Sequence, residues 1–593
     1  MPEPSRHDAA HPRRTGAVIA LCLGLAFAAG SNGVGPLAVA PAAAQQMQSD
    51  GGLAGPVLAA RVASRNNDYA AAAEYLERAL GRDPANIVLI ESALMANIGL
   101  GDIDTATRHA ESLAEAGLPT QAAGLVLLAR DFAASDYEAA LAALDAGGRG
   151  GPLVDGLARA WAELGRGRMS DALAAFDAVI DAEGMAVFGQ FNKALALAAV
   201  GDVEGAEHIL SGEAAGPLPL DRRGVIARLQ LLSQIDEHEN AVLMLDAAFG
   251  TDPDPELARL RADLKAGAVL PFDLVTSAGD GLAEMLYMLA EGLRGEAGDE
   301  YTLVFARLAH HLRPDHVPAI LLSGRILNRM GQHELAAEAF EIVPPEDPQF
   351  HVAEIGRADA LFASGDADAA IDAMQELAET HGQLATIHVT LGDFLRRESR
   401  FAEAARAYDT ALDLLGPPEP QHWVVYYTRA IANEREGNWP EAEADFRKAL
   451  ELNPDEPHVL NYLGYSLVER RENLKEALDM IERAVEGEPD NGYITDSLGW
   501  AFYRLGRFEE AVPVMERAVE LRPQDAVIND HLGDVYWAVG RTREARFQWR
   551  RALSFGPADD LDMDRLRRKL EVGLDQVLIE EGAEPHLTGT HGN

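Results

Sequence analysis

A chain of 593 residues with 95 acidic against 51 basic side chains carries a formal charge of −44 at pH 7. That excess argues against nucleic acid as a partner, because polyanion binding relies on clustered Lys and Arg that neutralise phosphates. With a single cysteine, Cys22, no disulfide framework is available.

At the amino terminus, Arg13 and Arg14 precede an apolar run from Gly16 to Ala29, and Ala42-Ala43-Ala44-Gln45 offers small residues for cleavage. Residues 1–44 are therefore predicted to be a secretory signal cut near Ala44. The run is short of the roughly 20 apolar residues of a spanning helix. Cys22 lies inside it, behind Leu21 rather than the small residue a lipoprotein signal needs. The expected mature chain has no cysteine, no lipid anchor and no membrane span. In a Gram-negative cell its compartment is the periplasm.

From residue 45 onward an alanine recurs in one helical setting about every 34 residues. Its positions are Ala72, Ala106, Ala140, Ala172, Ala206 and Ala241, then Ala336, Ala370, Ala404, Ala442, Ala477, Ala511 and Ala545. The first block, 45–252, is degenerate. The gap between Ala241 and Ala336 exceeds two periods and falls short of three. One period before Ala336 stands Thr302, with Phe305, Ala309 and Pro314 at the expected offsets. The surplus falls at 253–280, a turn-rich passage holding Asp254-Pro255, Pro271 and the apolar run Phe272 to Val275. It is compatible with a kink, a dimer contact or a long loop. A second array spans 281–557 and approaches a consensus from about residue 423. In the segment 558–580, Asp560, Asp562 and Asp564 lead Met563, Leu566, Leu570 and Leu574 on one helical face, as in a capping helix with acids in its first turn. The tail 581–593 has no apolar period and is predicted to be disordered.

The last units can be compared position by position. Leu498, Gly499, Phe502, Ala511, Met515, Ala518 and Pro523 fall in order, and Leu532, Gly533, Tyr536, Ala545, Trp549, Ala552 and Pro557 repeat them at identical spacing. Leu463, Gly464, Leu467, Ala477, Ile481, Ala484 and Pro489 follow with one extra residue in the turn. Here the chain resembles the tetratricopeptide repeat (TPR) family, in its bacterial exported type. The resemblance implies an all-α fold, an α-solenoid of about 14 helix pairs in a right-handed superhelix with a concave groove, each unit touching only its neighbours. Elementary packing agrees: helices that approach closely need small residues at the contact, and a proline ends each repeat because it has no N–H to donate.

In the family, the residues at offsets of −3, −2, +1, +4 and +5 from the small residue of each first helix line the groove. Applied to Ala430, Gly464, Gly499 and Gly533, the resemblance selects Tyr427 and Arg435; Asn461, Tyr462 and Tyr465; Asp496, Trp500, Tyr503 and Arg504; and Asp530, His531, Asp534 and Trp537. Clustered Tyr and Trp supply large contact area with few rotors, and Asn461 offers a donor and an acceptor to a peptide backbone. Tyr503 and Trp537 lie one residue past core positions, so they either bind or seal the joint between repeats. Relatives that clamp acidic tails use Lys and Arg where this chain has Tyr427, Asn461, Asp496 and Asp530, so the expected ligand is an extended neutral or basic segment.

Motifs for catalysis are missing: no H-E-x-x-H, no G-x-x-x-x-G-K, no G-x-S-x-G and no Cys/His ligand cluster. His310 and His311, adjacent on a helix, point about 100° apart and are poorly placed to share an ion. No enzyme activity, metal or cofactor is expected. Two functions fit: a non-catalytic periplasmic adaptor or scaffold presenting a protein partner, as adaptors for a processing protease or an envelope assembly complex do, or a component of a polysaccharide or cell-wall export machine.

Overall fold

The computed structural model describes residues 52–118, 120–148, 150–250, 255–558 and 561–586. The predicted signal with its cleavage site, the opening of the 253–280 passage, Asp560 and the end of the tail lie outside the described residues. Among the described residues the chain forms 31 helices and no strand, an all-α solenoid. None of these helices is long and apolar enough to cross a membrane. Two compact units divide the chain, Met1–Ala373 and Met374–Asn593.

In the first unit the helices run as pairs: α1 (Ala54–Arg65) with α2 (Tyr69–Leu80), α3 (Ile87–Leu100) with α4 (Ile103–Glu115), and α5 (Gln121–Ala133) with α6 (Tyr137–Asp145). Next come α7 (Pro152–Gly165) with α8 (Met169–Ile180), α9 (Ala186–Ala199) with α10 (Val203–Leu210), and α11 (Arg222–Gln234) with α12 (His238–Phe249). A single helix α13 (Pro255–Lys265) precedes α14 (Ala278–Leu293), α15 (Asp299–Leu312), α16 (Val317–Arg329), α17 (His333–Glu341) and α18 (Phe350–Ser364). The division between the units falls within α19 (Ala367–His381).

The turns inside four of these first six pairs share one chemistry. A residue in the left-handed region (Asn67 at φ 56°, Gly101 at 91°, Ser135 at 55°, Gly201 at 86°) is followed by an aspartate that caps the next helix. Asp68, Asp102, Asp136 and Asp202 each accept a hydrogen bond from the backbone N–H three residues on, at 2.9–3.0 Å. The recurring alanines all sit on the second helix of a pair and are at most 1% exposed. They mark the closest approach between neighbouring helices.

The first unit departs from the expectation that each repeat touches only its neighbours. Helices α14 and α15 form a pair of their own, but they lie against the first helices of earlier pairs: α14 on α5, α7 and α9, and α15 on α3 and α5. Gly281 of α14 sits on the Trp161 indole, which is fully buried and donates to Asn192 Oδ1 at 2.9 Å. The chain reaches this face through the 266–277 segment, pinned to α11 by Leu270 N–H on Ser233 Oγ (2.9 Å) and Gln230 on Asp273 (2.8 Å). Leu274 and Val275 are buried there. The core of this unit is therefore thicker than one helix pair, because α15 is apolar nearly all round: Leu303, Val304, Phe305, Ala306, Leu308 and Ala309 are all at most 2% exposed.

In the second unit, α20 (Ala385–Arg397) pairs with α21 (Phe401–Leu415), α22 (Trp423–Arg435) with α23 (Trp439–Leu452), and α24 (Pro457–Arg470) with α25 (Leu474–Gly487). Then α26 (Gly492–Arg504) pairs with α27 (Phe508–Leu521), and α28 (Ala526–Ala538) with α29 (Thr542–Phe555). Two short helices, α30 (Met563–Val572) and α31 (Leu574–Glu580), close the array. In three of these five pairs arginine replaces aspartate before the second helix and pairs three residues on: Arg400 with Glu403 at 2.8 Å, Arg507 with Glu510 at 2.6 Å, Arg541 with Glu544 at 3.2 Å; Asn438 and Asn473 stand there in the other two.

Candidate functional site

Helices α22, α24, α26 and α28 each press a small residue against the partner helix. A Cβ on Gly464 would come within 2.7 Å of Ile481, and one on Gly499 would strike Met515. Side chains on the far side of the same helices are left to face a common cleft of about 520 Å³. Of the residues selected from sequence, Arg435, Asn461, Tyr462, Tyr465, Asp496 and His531 line it. Glu434, Glu469 and Ser497 line it as well. These three stand at the same groove offsets, +4, +5 and −2, so the signal that would have found them was already in use. Tyr493 and Val527 were beyond its reach.

The polar groups of the cleft are mostly engaged with one another. Tyr462 donates to Glu434 at 3.2 Å, and Trp500 Nε1 donates to Glu469 at 2.7 Å, with Arg504 Nε 3.6 Å from the same carboxylate. Tyr427 lies 6.1 Å from Phe446 and edge-on to Tyr462 at 6.3 Å, so it props the wall. Burial pushes its phenol up to about 12, and burial beside Glu434 raises that of Tyr462 further; both stay neutral. His531 Nδ1 lies 2.9 Å from Asp496. Burial alone would lower the imidazole's affinity for a proton, but Asp496, with Asp530 and Asp534 behind it, outweighs burial and raises it above the ordinary value. Asn461 Oδ1 is buried and has no hydrogen-bond partner among the described residues.

Four of the selected residues, Tyr503, Asp530, Asp534 and Trp537, are covered by the chain's own carboxy-terminal end. Lys569 of α30 is fully buried and reaches Asp530 at 2.8 Å and Asp534 at 2.7 Å. Asp534 also accepts from Trp549 Nε1 at 2.9 Å. Trp537, 8% exposed, donates to Asp575 of α31 at 3.0 Å. The Tyr503 hydroxyl meets His586 Nε2 at 2.7 Å, so the first residues of the expected disordered tail lie against the groove. Tyr503, Asp530, Asp534 and Trp537 thus form a seam with α30, α31 and His586. The open cleft is the shorter stretch from Glu434 to His531.

The repeat is also found by comparison with known proteins. Sequence models described as tetratricopeptide repeat match residues 389–556 and, in a second version, 57–106, 157–217 and 355–421. A TPR repeat-containing protein of Pseudomonas aeruginosa is 27% identical over 185 residues, 31% of this chain; the match spans 30% of that relative's length. Among solved structures, the APC/C hetero-tetramer Cut9-Hcn1 is similar at 16% identity, covering 89% of this chain and 98% of that one with a TM-score of 0.36. A tetratricopeptide repeat protein from Parabacteroides merdae matches at 17% identity over 43% of this chain and 97% of its own, TM-score 0.36. With helix pairs at the predicted period and family models matching within both units, the chain belongs to the tetratricopeptide repeat family.

Proposed function

We propose that this chain is a non-catalytic scaffold of the bacterial envelope that holds an extended neutral or basic polypeptide segment in the cleft between Glu434 and His531. Asn461 carries the proposal. A buried amide oxygen without a partner forfeits the hydrogen bond it had in water, and a backbone N–H of a bound strand would restore it. The lining sets Glu434, Glu469 and Asp496 against Arg435 and Arg470, a small acidic excess that disfavours an acidic segment. The corresponding face of the first unit is already filled by α14 and α15, which supports the second unit as the receptive one. The amino-terminal signal pattern supports export, and a processing protease or an assembly complex is the kind of machinery such an adaptor serves. Sugar stacking, as a polymer-export role would use, is less well supported: Trp500 already carries His531 at 4.0 Å and Tyr503 at 4.7 Å between ring centroids.

The test is a photo-crosslinking residue at position 465 of the full chain, in cells, with and without Asn461→Ala. A crosslinked polypeptide whose mapped segment is neutral or basic, with its yield reduced about tenfold by Asn461→Ala, is the expected result. Crosslinks to acidic segments, or a yield unchanged by the substitution, would overturn the proposal.

A further inference from the structure

A second cavity, of about 320 Å³, lies in the first unit where the turn between α3 and α4 meets α15 and α17. Arg307 projects from α15 to line it, with His310, His311 and Glu338 and the apolar side chains of Leu335 and Ile342. Arg307 is only 7% exposed, and its one hydrogen bond among the described residues is from Nη2 to the Gly99 carbonyl at 3.2 Å. Among the described residues it forms no ion pair, and its Nε is buried without a partner. The half-buried Arg223 of the same unit, by contrast, ends on a carboxylate, with two hydrogen bonds to Glu284 at 3.0 and 2.7 Å. A buried guanidinium without a counter-ion costs stability, and a residue serving packing alone has no need of the charge.

The surroundings specify what would satisfy it. Burial pulls Arg307 down to about 10, so it remains the cation of the cavity at neutral pH. Burial and the neighbouring Arg307 hold His310 down at about 4, and burial lowers His311 as well, so both rings are neutral hydrogen-bonding groups. Glu338 on the same lining attracts Arg307 from a distance without pairing with it, so the guanidinium fork is free for one carboxylate while a doubly charged anion is disfavoured. A planar guanidinium fork matches a carboxylate, and the apolar wall suits a short hydrocarbon body beside it. At Gly101 a side chain would touch the guanidinium, with its Cβ 3.4 Å from Arg307 Cζ, so the turn leaves the charge uncovered by any residue of its own.

We propose that this cavity is a binding site for a monocarboxylate on a small apolar body, with Arg307 as its counter-ion and His310 and His311 as neutral hydrogen-bonding partners. The site is separate from the cleft of the second unit.

Calorimetric titration of the full chain with hexanoate, with a pentapeptide ending in leucine as free acid and as amide, and with inorganic phosphate tests it. Hexanoate or the peptide acid is expected to bind, and the amide and phosphate are not. Hexanoate binding assigns a free acid to the site, and binding of the peptide acid alone assigns the chain terminus of a partner. Arg307→Met should weaken binding about tenfold to a hundredfold, the loss of a charged hydrogen bond. Glu338→Gln, altered only at an exposed position, should tighten it by removing the like charge. Absence of carboxylate binding, preference for phosphate, or an affinity unmoved by Arg307→Met would overturn the proposal. Should Arg307→Met fail to fold, an unchanged affinity in Glu338→Gln would do so.

Discussion

Trp500 and His531 stack with ring centroids 4.0 Å apart and planes 18° from parallel, while His531 pairs with Asp496 at 2.9 Å. The indole face and the carboxylate both favour the protonated imidazole. A histidine whose proton affinity rises on folding adds stability that is complete below its unfolded value, ordinarily 6.5, and is lost as pH rises through the higher folded value. The thermal midpoint of the full chain should therefore fall as pH is raised above the ordinary value of 6.5, and His531→Gln should flatten part of that slope. Asp496→Asn, by leaving burial as the main influence on the ring, should move its NMR titration to lower pH.

Lys569 and the two aspartates of α28 form a buried ion cluster at the carboxy-terminal seam. Lys569→Met removes the buried cation and leaves Asp530 and Asp534 out of water with only the longer contact of Arg565 to Asp534, at 3.7 Å. Breaking a buried pair in this way costs about 3–5 kcal/mol. Urea denaturation followed by tryptophan fluorescence should register a loss of that size, since Trp537 and Trp549 both hydrogen-bond within the seam. Adding Asp530→Asn and Asp534→Asn to Lys569→Met should recover a large part of it, because no uncompensated charge is then left behind.

The repeat was legible because the closest approaches of helices admit only small residues, so Ala and Gly recur wherever a second helix or a Trp549 or Met515 side chain presses in. The seating of α14 and α15 was not, because Thr302, Phe305 and Ala309 keep the period of an ordinary repeat. The signal present was the run Leu303-Val304-Phe305-Ala306: a helix apolar on every face is covered on every face. In the site, offsets from Gly533 placed Asp530, Asp534 and Trp537 on the groove side of α28, and the structure has them there beneath α30 and α31. Offsets carry no information about a later segment folding back. A lysine next to Leu566 and Leu570 was the hint, since a charge on the apolar side of a capping helix needs counter-ions beneath it.

Glu284 joins three elements of the first unit: it accepts two hydrogen bonds from Arg223 of α11 and lies 3.0 Å from His316 Nε2, just before α16. Burial alone would raise its proton affinity, but Arg223 and His316 outweigh burial and hold it at about 2 against an ordinary 4.5. A depressed carboxyl contributes stability that is full above the unfolded value and is lost as pH falls through the folded one. The first unit should thus lose stability between about 4.5 and about 2, read as increased hydrogen exchange in 278–312 on acidification. Glu284→Gln should remove this acid-sensitive contribution and, by leaving Arg223 buried without a counter-ion, cost about 3–5 kcal/mol at neutral pH.

Two glycines of α14 separate close packing from helix propensity. A Cβ on Gly281 would fall on the Trp161 indole, and that ring cannot yield: it is fully buried, tied to Asn192 and edge-on to Phe176 at 5.5 Å. Gly281→Ala should therefore cost about 1–3 kcal/mol of forced backbone shift, more than the gain in helix propensity. A Cβ on Gly292, in the last turn of the same helix, meets nothing within 4 Å. Gly292→Ala should be neutral or stabilise by up to about 1 kcal/mol, because alanine loses less conformational freedom than glycine on entering a helix. Hydrogen exchange read by mass spectrometry checks both: Gly281→Ala should raise exchange in α14 and α15 together, since they are seated as a pair, and leave α24 to α28 unchanged. Equal behaviour of the two substitutions would mean that the contact of α14 with α7 does not hold this pair in place.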